Sequence, residues 1–259
     1  MSDPSAPTAE ARRLWDGAAA TYDEAIAPAL SDAQRAVLGL LGDLDGREVL
    51  DLGCGTGRVG ELAARRGARV TAVDLSPNMV AIARGRLGSL GAVVEVMDAQ
   101  ALELPDASFD AVVASFSLMF CPEPERALAE ARRVLRPGGV LAVSVWGLPE
   151  ECDTARVGRV AAAFAVGPPP EIPTGQALGD PVRLEALVRD AGFGEVELRS
   201  GVARLRYPGP DACWRAVLHV HGARIPESSL AAAEAATRAE IARVGLPLSN
   251  RMWLVRASA

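Results

Sequence analysis

Apolar positions change their spacing along this chain, and the change marks out its elements. From Glu48 onward, short runs rich in Val, Leu and Ala recur at EVLDL (48–52), RVTAVD (69–74), VVEVMD (93–98), FDAVVAS (109–115) and VLAVSVW (140–146). Each is short, β-branched and bounded by turn residues, as a buried strand is. Between them the apolar residues take a helical period. One helix starts near Gly57 and runs through GELAARRG. A second starts at Ser76 and Pro77, with Ser as N-cap and Pro at the first helical position, and continues through NMVAIARGRL. A third runs from about Pro124 through ERALAEARRVL and stops at Arg136, Pro137, Gly138 and Gly139. Strands alternating with helices predict an α/β fold, a doubly wound and mostly parallel Rossmann-like sheet covered on both faces.

Beyond Trp146 the pattern loosens. The proline-rich GPPPEIP (167–173) reads as a mobile loop before a helix, DPVRLEALVRDAGF. EVELRSGVARLRY (195–207) alternates as a strand, and RMWLVRA (251–257) as a last, antiparallel one, which makes seven strands. Between these two lie PDACWRAVLHVHG and PESSLAAAEAATRAEIARVG, a helical cap inserted near the C-terminus. Two further helices, at about 8–20 and 31–43, precede the sheet. No internal repeat is visible.

Composition narrows the class. With 49% hydrophobic and 23% charged residues, and no apolar run near the roughly 20 residues of a membrane span, the chain reads as soluble, without membrane insertion. The N-terminal MSDPSAPTAEARRLWDG has no apolar segment of the secretory kind. Cys54, Cys121, Cys152 and Cys213 are far apart and form no CxxC pair, which suits a reducing cytoplasm and no metal. A formal charge of −6 argues against nucleic acid and for a small-molecule partner. Length is compatible with one α/β domain carrying insertions, as a monomer or homodimer.

Chemistry concentrates at VLDLGCGTGRVG (49–60). A P-loop needs a lysine after its glycines, and here Arg58 is the first basic residue. The dinucleotide fingerprint fits only when forced onto Gly55 to Gly60. Asp51, at the mouth of the turn, would repel a pyrophosphate and attract an ammonium or sulfonium. Asp74 ends the second strand, where an acid accepts both hydroxyls of an adenosine ribose. Asp98 and Ser115 end the next two, so four strand ends converge on one crevice. A phosphate-free adenosine with a cationic amino-acid arm describes S-adenosylmethionine.

Together LDLGCGTG, VTAVDLSPNMVAIAR, DAQALELPDASFD and RRVLRPGG resemble the class I S-adenosylmethionine-dependent methyltransferases, within them the ubiquinone and menaquinone biosynthesis type and similar bacterial small-molecule enzymes. The resemblance covers roughly residues 10–146. It implies that Asp51, Gly53, Cys54, Gly55 and Gly57 face the methionine arm, and that Asp74 holds the ribose with Leu75 and Met79 against the adenine. It further implies that Asp98 and Ala99 meet the adenine edge, that Ser115 and Phe116 border the reactive end, and that Trp15 and Tyr22 close over the cofactor. Residues 1–43 would then cover the cofactor site of a domain spanning 44–259, with 147–180 and 208–249 as lid or acceptor segments.

The function this implies is methyl transfer to O, N or C of a metabolite, leaving S-adenosylhomocysteine. A same-fold enzyme that uses the cofactor for cyclisation or rearrangement, and a cofactor-binding regulator, stay open beside it. No catalytic residue is fixed: His219 and His221, the two histidines, are weak candidates for a base. Cys54 reads as a small hydrophobe in a tight bend. Met119, Phe120 and Trp146 could wall an apolar acceptor site. Arg132 and Arg133 read as the solvated end of a helix, and Arg199, Arg204 and Arg206 as the charged rim of an edge strand.

Overall fold

Seven strands form one sheet in the order β3-β2-β1-β4-β5-β7-β6 in the computed structural model, which describes residues 6–167, 173 and 175–259. β1 (Glu48–Leu52), β2 (Arg69–Asp74), β3 (Val93–Val96), β4 (Phe109–Ser115) and β5 (Leu135–Trp146) run parallel to one another. β7 (Leu248–Ser258) is inserted antiparallel between β5 and β6 (Gly194–Leu205). The sheet thus has the expected doubly wound form, and β1 beside β4 is the point where the winding reverses. Ligands of such sheets bind outside the strand ends at that point.

β1, β4 and β5 are nearly solid runs of buried apolar residues because helices cover both of their faces. On one face pack α2 (Ser31–Gly39), α3 (Arg58–Ala64) and α4 (Pro77–Leu87), whose Val37, Val59 and Val80 meet Val49 and Val113 of the sheet. On the other, α5 (Pro124–Val134) and α7 (Pro181–Asp190) bring Leu128 and Leu184 against Val112 and Leu141. The predicted Ser76 cap is present: its hydroxyl accepts from the Met79 N–H at 3.1 Å. Asp180 caps α7 in the same manner through Val182.

Several boundaries differ from the expected ones. α5 does end before Arg136, but RPGG does not form a loop: β5 starts at Leu135 and carries those residues as its first turn of strand. Gly138 donates to the Ala259 carbonyl, so pairing with the chain's end extends the strand beyond what apolar pattern shows. β3 stops at Val96, two residues short of Asp98, and α2 stops at Gly39 instead of residue 43.

The cap contains a helix that sequence pattern missed, α6 (Asp153–Ala162). It packs with α8 (Pro210–His221) and α9 (Glu227–Val244) around Ala161, Trp214 and Ala233. α1 (Ala6–Thr21) continues through a wide π turn at Tyr22–Ile26 and a 3-10 turn at Ala27–Leu30 into α2. The expected loop at 167–173 lies almost wholly outside the described residues.

Candidate functional site

The cleft lies at the C-terminal ends of β1 to β4, as the strand order demands. Gly53 leaves β1 with φ near 69°, and its N–H and that of Cys54 both donate to the Val73 carbonyl at 2.9 Å. A side chain is impossible there: a Cβ on Gly53 would stand 2.4 Å from the Cβ of Ser117. Ser117 in turn donates its hydroxyl to the Leu52 carbonyl at 2.6 Å, which locks the β4 end onto the β1 end. Gly57 is the N-cap of α3, and its own approach is to Ala83 and Leu87 of α4.

Acidic groups define the electrostatics of this cleft. Asp74 accepts from the Gly55 N–H (2.8 Å) and the Ser76 N–H (2.9 Å), so it fixes both the glycine turn and the start of α4. Asp51 is 1% exposed; one carboxylate oxygen accepts from the Gly60 N–H at 2.8 Å and the other, Oδ1, has no partner. Burial, with the charge of Asp74 nearby, pushes the Asp51 carboxyl up to about 7. Burial raises Asp74 as well, against the hydrogen bonds it accepts. Asp98 accepts from the N–H and side-chain amide of Gln100. Three acids and an unpartnered buried oxygen make this a site for a cation or a set of donors.

Aromatic and apolar groups close it. Trp15 packs edge to face on Tyr22 (5.9 Å between centroids) and on Phe120 (5.0 Å). Burial and the neighbouring Asp74 push the Tyr22 phenol far up, so it keeps its proton. Phe116, with φ near 53°, is stacked on Trp146 at 3.9 Å. A bulky residue at positive φ is strained, and such strain collects at ligand sites.

The N-terminal segment is tied over the cleft at two points. Asp16 accepts from the Ser76 hydroxyl at 2.6 Å. Asp23, next to Tyr22, accepts from the Thr56 hydroxyl (2.8 Å), from Arg58 (3.2 Å) and, at both carboxylate oxygens, from Arg86 Nη2 (2.8 and 3.0 Å). Burial raises the Asp23 carboxyl, but the hydrogen bonds from Thr56 and Arg86 and both arginine charges outweigh it and hold it below the usual range.

Of the residues singled out from sequence, Trp15, Tyr22, Asp51, Gly53, Cys54, Gly55, Asp74, Leu75, Met79, Asp98, Ala99, Ser115 and Phe116 line the one cleft. Gly57 does not; it serves helix packing. His219 and His221 are absent from the lining as well, and His221 lies against Gly158 of α6, 2.9 Å from where a Cβ would stand. Phe120 lines the cleft, whereas Met119 and Trp146 stand behind it in the core. Cys54 is buried, and burial lifts its thiol well above the ordinary value.

Arg133 is corrected: it is not a solvated helix end but donates to the Leu102 and Leu104 carbonyls and pairs with Glu130 and Asp106, pinning the loop before β4. Arg199 pairs with Glu197 at the β6 edge, and Arg206 with Asp32. Asp23, Arg86, Gln100 and Ser117 escaped sequence reading because their partners lie on other elements, and Gln34 because nothing in its local pattern sets it apart.

Residues 50–143 match the family model described as "Methyltransferase domain". The demethylmenaquinone methyltransferase of Tropheryma whipplei is 39% identical over 146 residues, 55% of this chain and 61% of that protein. A methyltransferase of Streptomyces halstedii, GfsG, is 34% identical over 173 residues, 64% of this chain and 59% of that protein. The chain therefore spans about three-fifths of the length of these relatives. Among solved structures, the cyclase SpnF is 26% identical and superposes with a TM-score of 0.58 over 88% of this chain and 82% of that one. No helix among the described residues is long and apolar enough to cross a membrane.

Proposed function

We propose that this chain, a class I S-adenosylmethionine-dependent methyltransferase by its likeness over residues 50–143, binds S-adenosylmethionine in the cleft and methylates O, N or C of a small molecule. The observation that carries the reading is the buried, unpartnered Oδ1 of Asp51 beside a glycine turn fixed by Asp74. These residues fit the cofactor: Asp51 offers an acceptor and charge to a cationic amino-acid arm, Gly53 and Gly55 leave the backbone bare for close approach, and Asp74 is the acceptor for ribose hydroxyls. Leu75 and Met79 give an apolar surface for the adenine, with Asp98 and Ala99 at its edge.

When bound, S-adenosylmethionine supplies a methyl carbon on a sulfonium, activated for in-line displacement. What this chain adds is position and dryness. Trp15, Tyr22 and Phe120 cover the cleft and exclude water, and the Asp16 and Asp23 anchors keep them there. Holding two reactants in line supplies much of the acceleration in such displacements. Neither histidine is given a role as base.

In this reading the described residues of 1–43 act as the cover, with α8, from the 208–249 segment, packed behind it. The enzyme works in the cytoplasm on a small molecule, as a monomer or homodimer, with neither nucleic acid nor membrane as partner, and releases S-adenosylhomocysteine. A second reading, cyclisation in the presence of the cofactor, is favoured by one observation, the likeness to the cyclase SpnF.

The test is label transfer from methyl-labelled S-adenosylmethionine to a small-molecule extract, with Asp74→Ala as control. Label in a metabolite, lost with the variant, supports methyl transfer; a cofactor-dependent product without label supports the second reading; no cofactor-dependent change sinks both.

A further inference from the structure

The face of α2 and the turn before it presents Ala27, Leu30 and Gln34 to the cleft, at spacings of three and four residues. Gln34 is 6% exposed, and among the described residues its side-chain amide has no hydrogen-bond partner. A primary amide carries two donors and an acceptor, and in Gln34 these reach the open cleft, where a ligand oxygen can meet them. The cofactor positions already argued lie on the β1, β2 and β3 ends, and Gln34 comes from a different element. Its immediate helix neighbours in the lining, Ala27 and Leu30, carry no side-chain polar atom.

We infer that Gln34 reads the methyl acceptor, and that the acceptor is an uncharged molecule with an apolar body and a hydroxyl or carbonyl oxygen. This inference rests on the proposed use of S-adenosylmethionine in the same cleft. A neutral amide satisfies a hydroxyl or a carbonyl, since it both donates and accepts. Gln34 itself cannot neutralise a carboxylate or an ammonium, and the charged groups of the cleft are already engaged, Arg58 with Asp23 and Asp51 and Asp74 with the proposed cofactor, so a charge held against Ala27, Leu30 and Phe116 would be left uncompensated. Gln34 is therefore a specificity residue. It positions the acceptor oxygen and takes no part in bond making.

Calorimetric titration tests this on the protein saturated with S-adenosylhomocysteine. The probes are para-propylphenol, propylbenzene, para-propylbenzoate and para-propylbenzylammonium. Binding of S-adenosylhomocysteine itself is measured first; its failure would sink the proposed cofactor and not this assignment. Given that binding, the phenol binds about fivefold more tightly than propylbenzene, and the two ions bind on the order of a hundredfold more weakly than the phenol.

Gln34→Leu, which fills the same volume, erases the preference of phenol over propylbenzene and leaves S-adenosylhomocysteine affinity unchanged. Gln34→Glu shifts the preference toward the ammonium probe, a reversal that a packing role would not produce. No phenol binding, equal binding of phenol and benzoate, or a phenol preference that survives Gln34→Leu would each overturn the assignment.

Discussion

Gly55 donates its N–H to the Asp74 carboxylate over 2.8 Å, so the middle of the glycine turn and the end of β2 form one hydrogen-bonded unit. The acid expected to hold a ribose therefore also shapes the turn that faces the methionine arm. Substituting it has two consequences that can be separated. Asp74→Asn keeps one acceptor oxygen and Asp74→Ala keeps none. Both weaken S-adenosylmethionine binding by more than about tenfold, since a charged acceptor is lost in each. The alanine variant also loses about 1–2 kcal/mol of stability from the freed Gly55 and Ser76 N–H groups, and the asparagine variant about half of that, because these donate to different oxygens and Asn keeps only one. Parallel calorimetry and thermal unfolding check the two; unchanged affinity in both variants would remove Asp74 from the site.

Asp51 makes the empty protein pH-sensitive in an unusual direction. Its carboxyl titrates at about 7 when folded, above the ordinary 3.8 of an unfolded chain, so the native state holds its proton more tightly. Stability from this group is full below pH about 4 and declines as pH rises through about 7, by at most about 4 kcal/mol. Asp51→Asn keeps an acceptor for the Gly60 N–H without the charge. The variant melts at a higher temperature than the wild type at pH 8, and the gap narrows at pH 5. A gap independent of pH would show that Asp51 is not held protonated.

The same carboxyl couples cofactor binding to protons. A cation beside Asp51 favours its ionised form, so binding expels a proton wherever the free protein holds one. Affinity for S-adenosylmethionine falls as pH drops below 7, toward about tenfold per pH unit in the limit. Titrations in buffers of different ionisation enthalpy report the proton count directly, and a count of zero at pH 6 would contradict the coupling.

Asp23 is the anchor whose loss frees the cover without touching the ligand. Asp23→Ala leaves Arg58 without its carboxylate and Arg86 with only the more distant Glu61 (4.0 Å), at a cost of about 2 kcal/mol for groups that are partly exposed. The folded carboxyl titrates below its ordinary value, so its contribution is present above the unfolded pKa and vanishes as pH falls through the folded one. Hydrogen exchange across Tyr22–Leu30 accelerates in the variant, and S-adenosylmethionine dissociates faster. Equal exchange rates would show that the segment is held by apolar packing alone.

Gly53 and Ser117 offer a steric test of the turn. Gly53→Ala places a methyl 2.4 Å from the Ser117 Cβ at a φ near 69°, and costs about 3 kcal/mol or more. Ser117→Gly in the same chain relieves the clash but not the backbone strain, and loses the hydroxyl bond to Leu52. Thermal unfolding of the double variant therefore shows partial rescue; full rescue would place the whole cost in the contact.

How far the sequence foretold this site follows from the range of the interactions involved. Strands β1, β2 and β4 carry their own apolar signal and their predicted limits match, and Ser76 and Pro77 mark α4 through local capping chemistry. β5 outran its pattern because Gly138 and Gly139 bond to Ala259 at the chain's far end. α6 was hidden by Gly158 and by a short, mixed composition, and only packing against α8 and α9 secures it. Within the cleft, Asp51 and Asp74 announced themselves by ending strands. Asp23 and Gln34 could not, since a carboxylate bound by Arg86 from 63 residues away reads in sequence as one more acid on a helix.

Calorimetric titration of the purified protein with S-adenosylmethionine at pH 8, beside Asp51→Asn, bears most directly on the central claim. The account predicts saturable binding at one site per chain, weakened more than about tenfold in a variant that is as well folded as its parent. A folded wild-type protein that takes up no S-adenosylmethionine, or a variant that binds it equally well, would contradict it.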